Sequence, residues 1–395
     1  MTPPERMRAL LAKPDFVVMP AVWDGLSAKL AASAGFPTAF LSGSCVAASR
    51  LGGPDLDLIS FAEMFDSFNM VRGAAPDTLV LADGDHGYGN AMNVQRTVRA
   101  YGRAGAAAIL IEDKITPRAL TAAGKPCLPR EEARMKIRAA VQAAKESGIL
   151  ILARTDCRPT AGIDEAVARI EMFVEEGADI LFLDSPADDA EIHRAVAAAK
   201  GRPSFAVLSP GGARATPTRD EAKALGFKIG TYPTGMISPA AAGMKAGLAA
   251  LQAGLSEAAS ALPSAELRDT LGYGDYDAKA KAFMEETKKM AEEIASGDPA
   301  KLQRAVMSGM MKPENQALMK EMRELGTAMR NATPEEREVL GQQAVALRDR
   351  AMAALRAEVA ALPEPGAAPA IPAPAPVVGG EAAPADPAPA PVIIM

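Results

Sequence analysis

The chain has 395 residues, 49% hydrophobic and 4% aromatic, with 43 Lys+Arg against 49 Asp+Glu and a formal net charge of −6. That length affords one large core with appendages, while the acidic balance argues against nucleic acid or an anionic membrane as partner, since either selects a basic face. Scattered Cys45, Cys127 and Cys157, only two histidines and no apolar run approaching ~20 residues leave no disulfide frame, zinc site or spanning helix, so a cytoplasmic protein is expected.

From Asp15 to Gly254, short apolar runs alternate with Ala-rich helical stretches. The runs are Phe16–Pro20, Thr38–Ser42, Thr78–Asp83, Ala107–Glu112, Ile149–Arg154, Ile180–Asp184, Phe205–Ser209 and Phe227–Tyr232. Continuous apolar runs fit parallel strands covered on both faces, with the intervening helices as crossovers. Eight such units predict an α/β fold, a (β/α)8 TIM barrel over residues 1–255. Gly35, Gly105, Gly177 and Gly226 stand just before a run, where a helix C-cap leads into a strand.

Residues 256–361 turn to Lys, Glu, Met, Ala and Leu at helical spacing and predict a helical appendage, its first part a candidate oligomerisation helix. Its methionines Met307, Met310, Met311, Met319 and Met322 read as packing. Residues 362–395, rich in Ala and Pro, bury too little to offset ordering entropy and are expected to be a disordered tail.

The active site of such a barrel lies where its strands end. Closing the runs are Ser42, Asp83 with Asp85, Glu112 with Asp113, Arg154 with Asp156, and Asp184. Charges that abut apolar runs need partners or a metal. In Asp83-Gly-Asp85-His86-Gly-Tyr-Gly89-Asn90, two carboxylates in a Gly-rich turn can offer one direct and one water-mediated contact to a hard divalent cation, with Glu112 adding another. Few ligands with retained waters suit Mg2+, with Mn2+ a possible substitute. The turn lacks the spacing of a dinucleotide fingerprint or a P-loop.

Leu41-Ser-Gly-Ser-Cys-Val-Ala-Ala-Ser49, Gly53-Pro-Asp55, Ala82-Asp-Gly-Asp-His-Gly-Tyr-Gly-Asn90, Ile111-Glu-Asp-Lys114, Ala153-Arg-Thr-Asp156, Ala215-Thr-Pro217 and Tyr232-Pro233 occur in that order. Over residues 10–255 this pattern resembles the isocitrate lyase/phosphoenolpyruvate mutase superfamily. The resemblance implies metal ligation by Asp83, directly, with Asp55, Asp85 and Glu112 as outer acids. It implies that Arg154 pairs with a substrate carboxylate or a developing enolate oxygen, and that Ser42 and Gly43 hold the other end of an α-oxo acid. Asp184, where the lyases have Glu, is set to bind a substrate hydroxyl. His86 is a further catalytic candidate, orienting Asp85 or relaying a proton near neutral pH; Lys114 is a charge partner for the acids, and His193 a surface residue.

Lyases of this superfamily carry a Lys-Lys/Arg-Cys-Gly-His loop after the fourth strand. Here that stretch reads Pro117-Arg118-Ala119-Leu120-Thr121-Ala122, with Leu120 at the Cys position. Residues 85–98 are similar to members that decarboxylate oxaloacetate, although Thr231-Tyr232-Pro233 stands where those have a His near the eighth strand. Glu112 to Pro117 is spelled as in the P–C bond enzymes. The expectation is a Mg2+-dependent carbon–carbon lyase, oxaloacetate-decarboxylase-like or methylisocitrate-lyase-like. It would act on a small 2-oxo or 2-hydroxy di- or tricarboxylic acid through an enolpyruvate-like intermediate. P–C chemistry on phosphonopyruvate and a non-catalytic scaffold are the alternatives. By the same resemblance the chain is expected to be a homo-oligomer, a tetramer or dimer.

Overall fold

The computed structural model describes residues 1–117, 125–209, 216–257, 259–295, 316–331 and scattered positions from 333 to 353. It divides into two compact units, Met1–Tyr273 and Gly274–Met395. The tail at 362–395, Arg118, Leu120 and most of the methionine cluster lie outside the described residues.

In the first unit, eight parallel strands run β1 (Val17–Val22), β2 (Thr38–Leu41), β3 (Leu79–Asp83), β4 (Ala108–Glu112), β5 (Leu150–Thr155), β6 (Ile180–Leu183), β7 (Phe205–Val207) and β8 (Ile229–Tyr232). Neighbours follow chain order from β1 to β6, and β8 pairs with both β1 and β7. The ring meets at β6 and β7 through the parallel bridge Leu181–Ser204 and the Leu181 N–H donating to Pro203 O at 3.0 Å. This is the (β/α)8 barrel expected. All eight runs form strands; β7 stops two residues short of Ser209 and β8 begins at Ile229, two residues later than Phe227.

The crossovers are α2 (Gly25–Ser33), α3 (Gly43–Leu51) with α4 (Phe61–Ala74), α5 (Ala91–Arg103), α6 (Arg130–Ala144), α7 (Arg158–Glu176), α8 (Asp189–Ala198) and α9 (Arg219–Ala224). After β8 come α10 (Thr234–Gln252) and α11 (Ser264–Leu271), and α1 (Pro3–Leu11) precedes β1. The polar residues just before several helices do the capping work: Asp24, Ser60, Asn90, Asp188 and Thr218 each accept from the first turn they precede. The first unit extends beyond residue 255 to take in α11, which packs on α2. In the second unit the helices include Gln316–Asn331 and all but the first residue of Tyr273–Ala295.

Strand side chains alternate between two faces even though the runs are apolar throughout. One set, including Met19, Phe40, Leu79, Leu81, Leu110, Leu150, Leu152, Ile180, Phe182, Phe205 and Ile229, fills the barrel interior. Met7 of α1 joins that set and is fully buried. The other set, including Ala39, Leu41, Val80, Ala82, Ile109, Ile111, Ile151, Ala153, Leu181 and Leu183, packs with residues of the surrounding helices. This parity decides which strand-end residues enter the site. Ser42, Asp83, Glu112, Arg154 and Asp184 each stand two positions beyond an interior residue and continue the inward series. Asp113 and Thr155, of opposite parity, belong to the outward series.

Candidate active site

Asp83 closes β3, and both of its oxygens accept backbone hydrogen bonds: Gly43 N–H donates to Oδ2 at 3.1 Å and Asp85 N–H to Oδ1 at 3.1 Å. The turn that follows is wound tightly. Asp85 (φ 46°) and Tyr88 (φ 60°) adopt left-handed conformations beside Gly87 (φ 74°) and Gly89 (φ 146°). Two non-glycine residues in that region cost energy that the surrounding contacts must offset. Tyr88 Oη donates to Asp85 Oδ2 at 2.9 Å, Tyr88 N–H to His86 Nδ1 at 3.0 Å, and Lys136 Nζ to the His86 carbonyl at 2.8 Å. Glu112 N–H donates to the Asp85 carbonyl at 2.9 Å and ties the turn to β4.

A second set of contacts crosses from β4 to β6. Glu112 Oε1 lies 2.8 Å from Lys114 Nζ, and the same ammonium lies 2.8 Å from Asp57 Oδ1. Glu112 Oε1 and Asp57 Oδ2 nonetheless lack an aligned hydrogen-bond partner. Arg154 Nε sits 3.4 Å from Glu112 Oε2. Its guanidinium forms a fork with Asp156 (Nε–Oδ2 2.8 Å, Nη2–Oδ1 2.6 Å) and reaches Asp184 Oδ1 at 3.3 Å. The Phe182 ring lies against it, 5.0 Å from Cζ to centroid. Lys125 Nζ joins Asp156 Oδ1 at 2.8 Å and Asp184 Oδ2 at 2.9 Å.

The electrostatics follow from burial. Burial, then the neighbouring acids Asp83 and Glu112, push Asp85 well above the ordinary carboxylate range. Asp83 is also raised, by burial first and against the pull of Arg154, and Glu112 is pushed up to about 7, again chiefly by burial. Asp156 goes the other way: burial raises it, but Arg154 and Lys125 more than reverse that and hold it well below the usual range. Asp57, Asp83, Asp85, Glu112, Asp156 and Asp184 thus face Lys114, Lys125 and Arg154, six acids against three cations. Asp55, on the α3–α4 connection, adds its charge to Asp83 and Asp85.

An excess of buried hard oxygens fits a hard divalent cation. Among the described residues, no three His, Cys, Asp or Glu side chains converge as a finished metal cage. The carboxylates of Asp83, Asp85 and Glu112, gathered at the ends of β3 and β4, are the donor set such an ion would meet. Gly43 helps form this cradle, since a methyl group there would meet Asp83 Oδ2 at 3.0 Å and Asp85 Oδ1 at 3.3 Å.

The strand-end residues that the sequence marked are brought together, each with contacts of its own inside the protein. The Gly43 N–H is given to Asp83, and Ser42 Oγ lies 3.0 Å from Ser44 Oγ. Asp184 serves Arg154, Lys125 and the Ser185 hydroxyl. His86 braces its own turn through the Tyr88 N–H, and burial and then Lys136 lower its pKa to about 4. His193 lies away from the site, in a cleft of about 440 Å³ between α8 and α9. Lys125, Asp57 and Tyr88 were not singled out for these roles. Glu112, Arg154, Asp156 and Asp184 of the same network were marked as strand-end charges, Asp156 standing two residues beyond Arg154 in the inward series.

A parallel barrel whose strand ends converge on acids and one arginine defines a (β/α)8 enzyme architecture. Residues 7–253 match the family described as phosphoenolpyruvate phosphomutase. The chain belongs to that family, within the isocitrate lyase/phosphoenolpyruvate mutase superfamily. It is 39% identical to 2,3-dimethylmalate lyase of Eubacterium barkeri over 59% of this chain and 80% of that one. It is 36% identical to 2-methylisocitrate lyase of Aeropyrum pernix over 73% of this chain and 92% of that one. A solved phosphonopyruvate hydrolase, in complex with oxalate and Mg2+, superposes with a TM-score of 0.63 at 30% identity, covering 70% of this chain and 98% of that one. The first two relatives are named as carbon–carbon lyases. Among the described residues no helix is long and apolar enough to cross a membrane.

Proposed function

We propose that the protein cleaves a carbon–carbon bond in a small 2-oxo or 2-hydroxy di- or tricarboxylic acid, with Mg2+ held at Asp83 and, through water, at Asp85, Glu112 and Asp55. The observation that carries this reading is the placing of the Asp83–Asp85 turn beside Glu112 and Arg154 at the strand ends. Bound there, Mg2+ would supply a Lewis acid for a chelating α-oxo or α-hydroxy carboxylate. Gly43 fixes the Asp83 carboxylate, Tyr88 fixes Asp85, and Arg154 presents a guanidinium to a carboxylate or to the oxygen of an enolpyruvate-like intermediate. His86 steadies the turn in this scheme, its Nδ1 accepting from Tyr88 N–H. The names of the two lyase relatives make 2,3-dimethylmalate and 2-methylisocitrate the first substrates to try, with oxaloacetate beside them.

The experiment is a thermal shift with oxalate in the presence and absence of Mg2+, followed by a screen for pyruvate release. Stabilisation that needs oxalate and Mg2+ together is expected; no shift with both would sink the reading. Asp83→Ala should abolish that joint shift and all turnover while leaving the far-ultraviolet circular dichroism unchanged. Full turnover in this variant would remove the metal assignment. A second reading, P–C bond chemistry, is favoured by the phosphomutase family match; phosphonopyruvate consumed to phosphate or phosphoenolpyruvate, with no carbon–carbon substrate turned over, would put it first.

A further inference from the structure

Arg154 is surrounded by acids: Asp156 takes a two-pronged hold on it, Asp184 lies at 3.3 Å and Glu112 at 3.4 Å. A guanidinium so fully neutralised would present little net charge to an incoming anion. Lys125 changes that balance, because its ammonium contacts Asp156 and Asp184, just beyond β5 and β6, at 2.8 and 2.9 Å. Arg154, Asp156, Lys125 and Asp184 form a closed square of alternating charge. The backbone around Lys125 is fixed independently: Ile115 N–H donates to Pro126 O and Leu128 N–H to Asp113 O, both at 2.9 Å, and Lys114 and Cys127 form an antiparallel bridge. Lys125 therefore arrives at the acid pair from a short ladder against the end of β4.

We infer that Lys125 is a positioning residue that takes up the charge of Asp156 and Asp184 and so leaves the Arg154 guanidinium available to a substrate carboxylate. Proton donation is a poor alternative role. Burial and the neighbouring Arg154 both lower the Lys125 pKa, but Asp156 and Asp184 outweigh them and hold the ammonium charged. Without Lys125 the two acids would share Arg154 alone, and the mouth of the site would gain a full negative charge where an anion docks. The inference rests on the reading of the site as an oxo-acid enzyme.

The test is calorimetric titration of the full chain with Mg2+ alone and with oxalate at saturating Mg2+, for the unaltered protein, Lys125→Met and Lys125→Arg. Lys125→Met should weaken oxalate at least about tenfold, as expected when one partner of a desolvated charge pair is removed. Its Mg2+ affinity should stay close to the unaltered value, and Lys125→Arg should recover most of the oxalate affinity. If Lys125→Met does not fold, Lys125→Gln carries the same expectation. Unchanged oxalate affinity, an equal loss of Mg2+ affinity, or no recovery in Lys125→Arg would each overturn the inference while leaving the proposed function standing. Failure of the unaltered protein to bind oxalate with Mg2+ would overturn both.

Discussion

At Gly43 the space beside the acids is already taken. A Cβ would stand 3.0 Å from Asp83 Oδ2 and 3.3 Å from Asp85 Oδ1, so Gly43→Ala must displace two carboxylates by a few tenths of an ångström or tilt the start of α3. Displacements of this size in a metal-and-anion site cost affinity steeply. The expected outcome is an on-the-order-of tenfold weaker oxalate affinity at saturating Mg2+, read by calorimetry, with the unfolding midpoint nearly unmoved; unaltered affinity would show that the cradle has slack. Residue parity explains why this part of the site was legible. Asp83, Glu112, Arg154 and Asp184 follow Leu81, Leu110, Leu152 and Phe182 at the two-residue period of a strand, so their direction follows from the sequence once the strands are placed. Lys125 follows no such rule. It reaches the site from a connection of irregular backbone, where spacing does not encode direction, and Asp57 likewise meets Lys114 through a left-handed residue (φ 61°) in a loop.

Elements of opposite parity build the frame on which the site rests. Asp113, next to Glu112 but turned outward, accepts from Thr155 Oγ1 (2.7 Å), Asp156 N–H (2.9 Å) and Arg169 Nη1 of α7 (2.9 Å). Arg169 also donates to Glu165 Oε1 and to Leu128 O, both at 2.8 Å, and so joins α7, the end of β5 and the return of the β4 connection. The Asp113 and Arg169 side chains are 1% and 6% exposed, so removing the cation leaves a charge with no access to water. Arg169→Met should therefore cost about 3 kcal/mol in urea unfolding, in the range for breaking a buried pair. A loss below about 1 kcal/mol would place the pair with weak surface bridges instead. At this scale the eight strands were legible because each apolar run is bounded by turn signals, while their ends were less so. The Phe205–Ser209 and Phe227–Tyr232 runs overstate β7 and β8 because strand length is set by partners. β7 has a full ladder with β8 but only a single bridge towards β6.

For the molecule as a whole, the helix after the last strand, α10, is the part least explained by burial inside one chain. Every other long helix of the barrel buries a stripe, whereas α10 has only Ala250 buried although its composition is strongly apolar. Met244, Leu248 and Leu251, at the i, i+4, i+7 spacing of one helix face, are each 60–64% exposed, and Leu255 just beyond the helix is 60% exposed. Leu267 and Leu271 on α11 add to the exposed apolar surface of the same unit, at 40% and 47%. Where exposed apolar side chains form one patch, association is the expected use of it. This surface supports the expectation of a homo-oligomer, whose standard interface would bury about 800 Å² per partner. Leu248→Glu places a charge in the middle of that stripe, where association would have to desolvate it. Light scattering on a sizing column should then give a dimer or tetramer for the unaltered protein and a smaller species for Leu248→Glu, with the circular dichroism of the barrel retained. An unaltered protein that elutes as a monomer at micromolar concentration would remove the oligomer. A variant that keeps the parent's mass would show that copies meet through another surface, leaving the apolar face of α10 for a different occupant.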